Sequence, residues 1–132
     1  EEFDEEGKIP SSKYMIHFLP GQHKNKKKGG TLRLGLYPCH IVKDTLTHKA
    51  YKKSLIGERH RHRYEINNEI RAKIEKEGYV VSGLYKKENL VEIAEIKGHP
   101  FMIGSQFHPE FLSRPHRPHP LFREFIKAAM KK

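Results

Sequence analysis

Two residues near the end of the chain have the types and spacing of a proton-transfer pair. His108 and Glu110 flank Pro109, directly after the apolar run Phe101–Phe107. Residues two apart on an extended chain point to the same side. A carboxylate beside an imidazole fixes its tautomer and stabilises the imidazolium formed when the ring takes a proton. That is the base and its orienting partner from a nucleophilic triad, and the carboxyl end of a strand is where open α/β sheets place such groups. A bare H-P-E tripeptide is nonetheless more often a histidine and a glutamate on a solvated turn.

The obvious nucleophile to complete a triad is Cys39, the only cysteine in the chain. A thiol nucleophile of this kind needs a strained strand-to-helix elbow between small residues, as in G-x-C-x-G. Cys39 instead stands in Tyr37–Pro38–Cys39–His40 with no glycine beside it. It reads as a buried, inert thiol. A single cysteine also excludes an internal disulfide framework and fits a reducing compartment, so the cytoplasm is the expected location.

Three further groups of residues invite a chemical reading. His60 and His62 share a strand face, and His116 and His119 are three apart. Neither pair has the cysteines and spacing of a zinc site, so they are read as scattered surface histidines and no metal is expected. Arg59, Arg61 and Arg63 alternate, which suits a carboxylate or phosphate held in a bidentate fork. A solvated strand edge guarded by charge explains the same pattern equally well.

The net charge is +10 with a pI near 9.7, and the basic residues gather in His23–Lys28 and Lys43–Arg63. Such clusters bind phosphate through counterion release. No nucleic-acid motif accompanies them, so a solvated loop with a site for small anions or a partner domain is the preferred reading, and RNA binding the weakest alternative. No apolar run approaches the roughly 18 residues of a membrane span. Glu1–Glu6 is acidic with no apolar run behind it, which is not the pattern of a secretory signal.

These residues need elements to position them. Residues 1–13 read as a loop, Tyr14–Leu19 as a strand, and His23–Gly30 as a basic loop. Thr31–Tyr37 sets Leu32, Leu34 and Leu36 against Arg33 and Gly35, the period of a half-buried strand, with Ile41–Val42 extending it beyond Pro38. Asp44 or Thr45 would cap a short helix through Lys53. Glu58–Ile66 reads as one strand with its three arginines on one face. Asn67–Asn68 starts a helix over Glu69–Glu77 that Gly78 ends. Strands follow at Tyr79–Tyr85, Leu90–Ile96 and Phe101–Phe107, joined by hairpin turns. A last helix begins at Pro120, with Leu121, Phe122, Phe125, Ile126 and Ala129 on one face. This is a mixed α/β pattern that lacks opening βα units.

Several blocks occur in one order: G-G-T-L-R-L-G (29–35), E-R-H-R-H-R-Y-E-I-N (58–67), L-V-E-I-A-E-I (90–96), Q-F-H-P-E-F (106–111), S-R-P (113–115) and H-P-L-F (119–122). Together they resemble the C-terminal part of CTP synthases, within the class I glutamine amidotransferase domain. The resemblance covers about residues 14–130, and R-H-R-H-R-Y-E is its most specific block. It implies a partial amidotransferase domain over 14–132, with a flavodoxin-like central sheet flanked by helices and its N-terminal βα units missing, after a loop or disordered lead-in over 1–13.

The family makes CTP from UTP with ATP and Mg2+, using ammonia released from glutamine by a Cys-His-Glu triad. The resemblance therefore implies that His108 and Glu110 are catalytic and that Arg63 binds glutamine. It also implies that the partners are the rest of the amidotransferase domain and a synthetase domain, in a homo-oligomeric parent. No cofactor site is expected in this chain, because it has no G-x-x-x-x-G-K-[ST] phosphate loop. Without a nucleophile the chain alone is expected to be inactive. The alternative is a catalytically dead binding or regulatory module.

Overall fold

The computed structural model describes residues 8–10, 13–18 and 33–131. The basic loop His23–Gly30 lies outside the described residues. The elements are β1 (Ile16–Phe18), β2 (Arg33–Ile41), α1 (Leu46–Tyr51), β3 (Leu55–His62), β4 (Tyr64–Ile66), α2 (Asn68–Lys76), β5 (Tyr79–Tyr85), β6 (Leu90–Ile96), β7 (Ile103–Ser105), a 3-10 turn (Pro109–Leu112) and α3 (Pro120–Ala129). Five strands form one sheet in the order β3-β2-β5-β6-β7, and β1 pairs with β4 in a separate ribbon. All these pairings are antiparallel. The α/β class is as expected, and the described part of the fold is its antiparallel portion with helices packed on it.

Each helix begins where local chemistry supplies a cap. The Thr45 hydroxyl accepts from His48 N at 3.0 Å, satisfying an amide that the first turn of α1 leaves open. The Glu95 carboxylate of β6 accepts from Leu46 N and Thr47 N at 2.9 and 3.1 Å, so this buried charge anchors the positive end of α1 to the sheet. Asn67 caps α2 by accepting from Glu69 N at 2.9 Å, and Gly78, at φ +94°, turns the chain away after it. His119 caps α3, and Pro120 takes the first helical position, where no amide hydrogen is needed.

The main core lies between the sheet and the α1–α3 pair. It comprises Cys39, Ile41, Ala50, Ile93, Phe107 and Leu121. Each large apolar side chain here contributes about 1.5–3 kcal/mol by leaving water. Strands β2, β5 and β6 approach so closely at Gly83 that a Cβ there would lie 2.7 Å from Ile93 and 2.8 Å from the Cys39 sulfur. A second cluster joins Val81, Val91 and Ala94.

Several expectations need correction. Along β2 the alternation is inverted: Arg33 is buried, while Leu34 and Leu36 are 54% and 64% exposed. Arg33 can be buried because two carboxylates and two tyrosine rings receive its guanidinium, which compensates the lost hydration. The 58–66 run is two strands, because the chain leaves the five-stranded sheet after His62 and joins the ribbon at Tyr64. Arg59 and Arg61 stay exposed on β3, whereas Arg63 occupies the break and leaves their row. The last sheet strand is three residues long rather than seven. His60 and His119 are not surface residues: both are buried.

Candidate active site

Strand β7 delivers the chain to His108, whose backbone amide donates to the Arg59 carbonyl of β3 at 2.9 Å. Pro109 then opens a 3-10 turn, its fixed φ suiting the first position. This turn carries Glu110 back beneath the imidazole. His108 Nδ1 and Glu110 Oε1 lie 2.7 Å apart, a charge-assisted distance. The Phe111 ring stacks on the His108 ring, with centroids 4.9 Å apart.

The bond from His108 holds the Glu110 carboxyl below the usual carboxylate range. With Nδ1 engaged by a carboxylate, Nε2 is the ring nitrogen suited to take and return a proton. Both side chains face solvent, so a reacting group has access.

Arg63 stands at the break between β3 and β4, with its guanidinium 5.3 Å from the centroid of the Tyr64 ring. The residues around it fix the backbone there. His62 Nδ1 bonds the Tyr64 carbonyl at 3.0 Å, bridging the break. Glu65, fully buried, bonds Arg33 at 2.9 Å, and Arg33 also bonds Glu92 of β6 at 2.7 Å. His60 lies 2.7 Å from His62 and 3.1 Å from Glu92. Both His62 nitrogens and His60 Nδ1 are thus taken up by protein groups, while His60 Nε2 lies near the Glu92 carboxylate without a hydrogen bond to it. Among the described residues no group of His, Cys, Asp and Glu is arranged to hold a metal ion.

This network shapes its own charges. Burial, with Arg33 close by, lowers His60 to about 3 and His62 to about 4, so both are neutral at physiological pH. Burial pushes Glu65 up to about 7 despite its bonds to Arg33. The His108 backbone bonds the Arg59 carbonyl, one residue before His60, which places the network beside the His108–Glu110 pair.

Cys39 is fully buried, and burial with the nearby carboxylates of Glu92 and Glu58 pushes its thiol up to about 12. A thiol so protonated is no nucleophile. A cavity of about 720 Å³ opens elsewhere, beside Tyr37, Tyr51, Leu55, Glu58 and His119; His108, Glu110 and Arg63 do not line it.

Sequence reading missed the Arg33–Glu65–Glu92 network and the contact between Glu58 and His119. One signal was present. Glu92 and Glu95 interrupt the apolar run L-V-E-I-A-E-I, and carboxylates in a buried strand must find partners.

The family described as glutamine amidotransferase class-I matches residues 12–128, and the chain belongs to it. Within that class its similarity is to CTP synthases. One from Dehalococcoides mccartyi is 60% identical over 123 residues, and one from Treponema denticola is 55% identical over 129. These alignments cover 92% and 98% of this chain but only 23% of each relative. The Trypanosoma brucei CTPS glutaminase domain with bound acivicin superposes with a TM-score of 0.79 at 32% identity, covering 89% of this chain and 46% of that one. A putative GMP synthase protein from Thermoplasma acidophilum shares the fold, with a TM-score of 0.53 at 19% identity over 74% of this chain and 44% of that one.

Proposed function

We propose that this chain supplies the acid–base half of a glutaminase site in a CTP synthase, whose remaining parts make CTP from UTP with ATP and glutamine-derived ammonia. The observation that carries the reading is the 2.7 Å bond between His108 and Glu110, on a chain similar to CTP synthases over nine-tenths of its length. His108 acts as base toward a cysteine outside this chain and then as acid toward the leaving ammonia. Glu110 orients the ring and stabilises its cationic form. Arg63 takes the glutamine carboxylate in a bidentate fork. ATP and Mg2+ would act in the synthetase portion, as the similarity to CTP synthases suggests.

The test is His108→Ala in the full-length protein. Glutamine-driven CTP synthesis should be abolished and ammonia-driven synthesis retained, since only the ammonia source is lost. Undiminished glutamine-driven activity would contradict the assigned role. Arg63→Ala should mainly raise the KM for glutamine, and an unchanged KM would remove Arg63 from the site.

A further inference from the structure

Two neighbouring residues of β3 hold the two ends of the turn that carries His108 and Glu110. At one end, the Arg59 carbonyl accepts from His108 N at 2.9 Å. At the other, Ser113 N closes the turn on the Glu110 carbonyl at 3.3 Å, and Ser113 Oγ accepts from His119 N at 3.1 Å. The His119 ring then reaches Glu58, the residue before Arg59, with Nε2 2.9 Å from the carboxylate. The Tyr51 hydroxyl donates to the same Glu58 oxygen at 2.8 Å.

We propose that Glu58 and His119 are positioning residues for the His108–Glu110 pair, clamping its turn against β3. The inference rests on the glutaminase reading of His108 and extends it to residues that do not touch substrate. Glu58 and His119 are 2% and 3% exposed, whereas the His108 and Glu110 side chains are 38% and 54% exposed. Apart from the Phe111 ring stacked on His108, the exposed pair has little packing around it, so its geometry depends on its anchors. His119 suits this task because its two ring nitrogens do different work. Nδ1 accepts from Leu121 N at 3.3 Å, capping α3, which leaves Nε2 to carry the proton toward Glu58. An apolar pair could fill the same space, but it would set no direction.

The test uses the full-length protein with His119→Asn and Ser113→Ala. Asparagine keeps a side-chain acceptor for the α3 cap and loses the reach to Glu58. The expected result for His119→Asn is a fall of about ten- to a hundredfold in kcat for glutamine hydrolysis, as small misplacements of reacting groups give. Ser113→Ala should give a smaller fall in the same direction. The KM for glutamine should stay within about twofold and ammonia-driven CTP synthesis should be unchanged, because neither carboxylate recognition nor the synthetase is touched. Glu58→Gln, which keeps an acceptor for both donors, should retain more activity than Glu58→Ala.

An unchanged kcat in folded His119→Asn overturns the proposal, as does a parallel loss of ammonia-driven synthesis. Should His119→Asn fail to fold, an unchanged kcat in Ser113→Ala overturns it. If His108→Ala keeps glutamine-driven activity, the underlying glutaminase reading fails instead.

Discussion

The His108–Glu110 pair is a local device: one proline and one tight turn bring a carboxylate to the imidazole nitrogen that must not move. Glu110→Gln in the full-length protein should preserve the contact, because an amide oxygen still accepts from Nδ1, yet remove the charge that stabilises imidazolium. Steady-state glutaminase assays should show kcat reduced, by up to about ten-thousandfold. Glu65 makes a different prediction. Its folded-state pKa of about 7 lies above the ordinary value of 4.5, so the folded chain binds more protons between those limits. The associated stability is fully present below pH 4.5 and lost as pH rises through 7. Glu65→Gln removes this dependence, so urea midpoints should move in favour of the variant between pH 5 and pH 8. A constant difference between the two proteins would contradict the raised pKa. At this scale the candidate pair was legible, since His108 and Glu110 are two residues apart. Arg33's partners lie 32 and 59 residues away, and no local pattern could announce them.

At the scale of elements, caps and close approaches decide stability. Asn67 caps α2 and its Nδ2 donates to the Tyr14 carbonyl at 3.0 Å, tying the helix to the segment leading into β1. Asn67→Ala should cost about 1–2 kcal/mol, measurable by chemical denaturation. Gly83→Ala should cost about 1–3 kcal/mol by overpacking, because its methyl would meet Ile93 and the Cys39 sulfur and neither neighbour has room to retreat. A thermal midpoint equal to that of the parent would refute it. Strand and helix order was readable from period and turn residues, with errors mainly at boundaries. The failure along β2 is instructive. Period two separates Leu34 and Leu36 from Arg33 but does not say which row faces inward, and here the tertiary pairing of the arginine prevails over hydropathy. The break at Arg63 was equally hidden, because the R-H-R-H-R-Y-E alternation continues through it while the chain changes sheets.

Across the molecule as a whole, large apolar side chains among the described residues stand exposed in two stretches of the chain. Leu34, Leu36 and Leu55 are exposed on β2 and β3, Phe122, Phe125 and Ile126 along α3, and Met130 just past its end. The chain spans 46% of the Trypanosoma brucei glutaminase domain and 23% of the length of the CTP synthases it matches. Exposed apolar rows of this kind drive association. The 132-residue chain by itself should therefore self-associate as its concentration rises, which sedimentation velocity would register. It should also release no ammonia from glutamine, since its single cysteine is sealed in the core. The family was legible from short blocks scattered over the chain, whereas these uncovered faces depend on which residues the fold turns outward.

That sealed cysteine has a practical consequence. Because Cys39 lies between Gly83, Ile93 and the α1–α3 layer, a thiol reagent reaches it only while the core is open. With no second cysteine to compete in this chain, the rate at which Cys39 is alkylated at fixed pH becomes a clock for core breathing. With labelling slower than reclosing, it reads the fraction of time that the sheet and its helices spend apart.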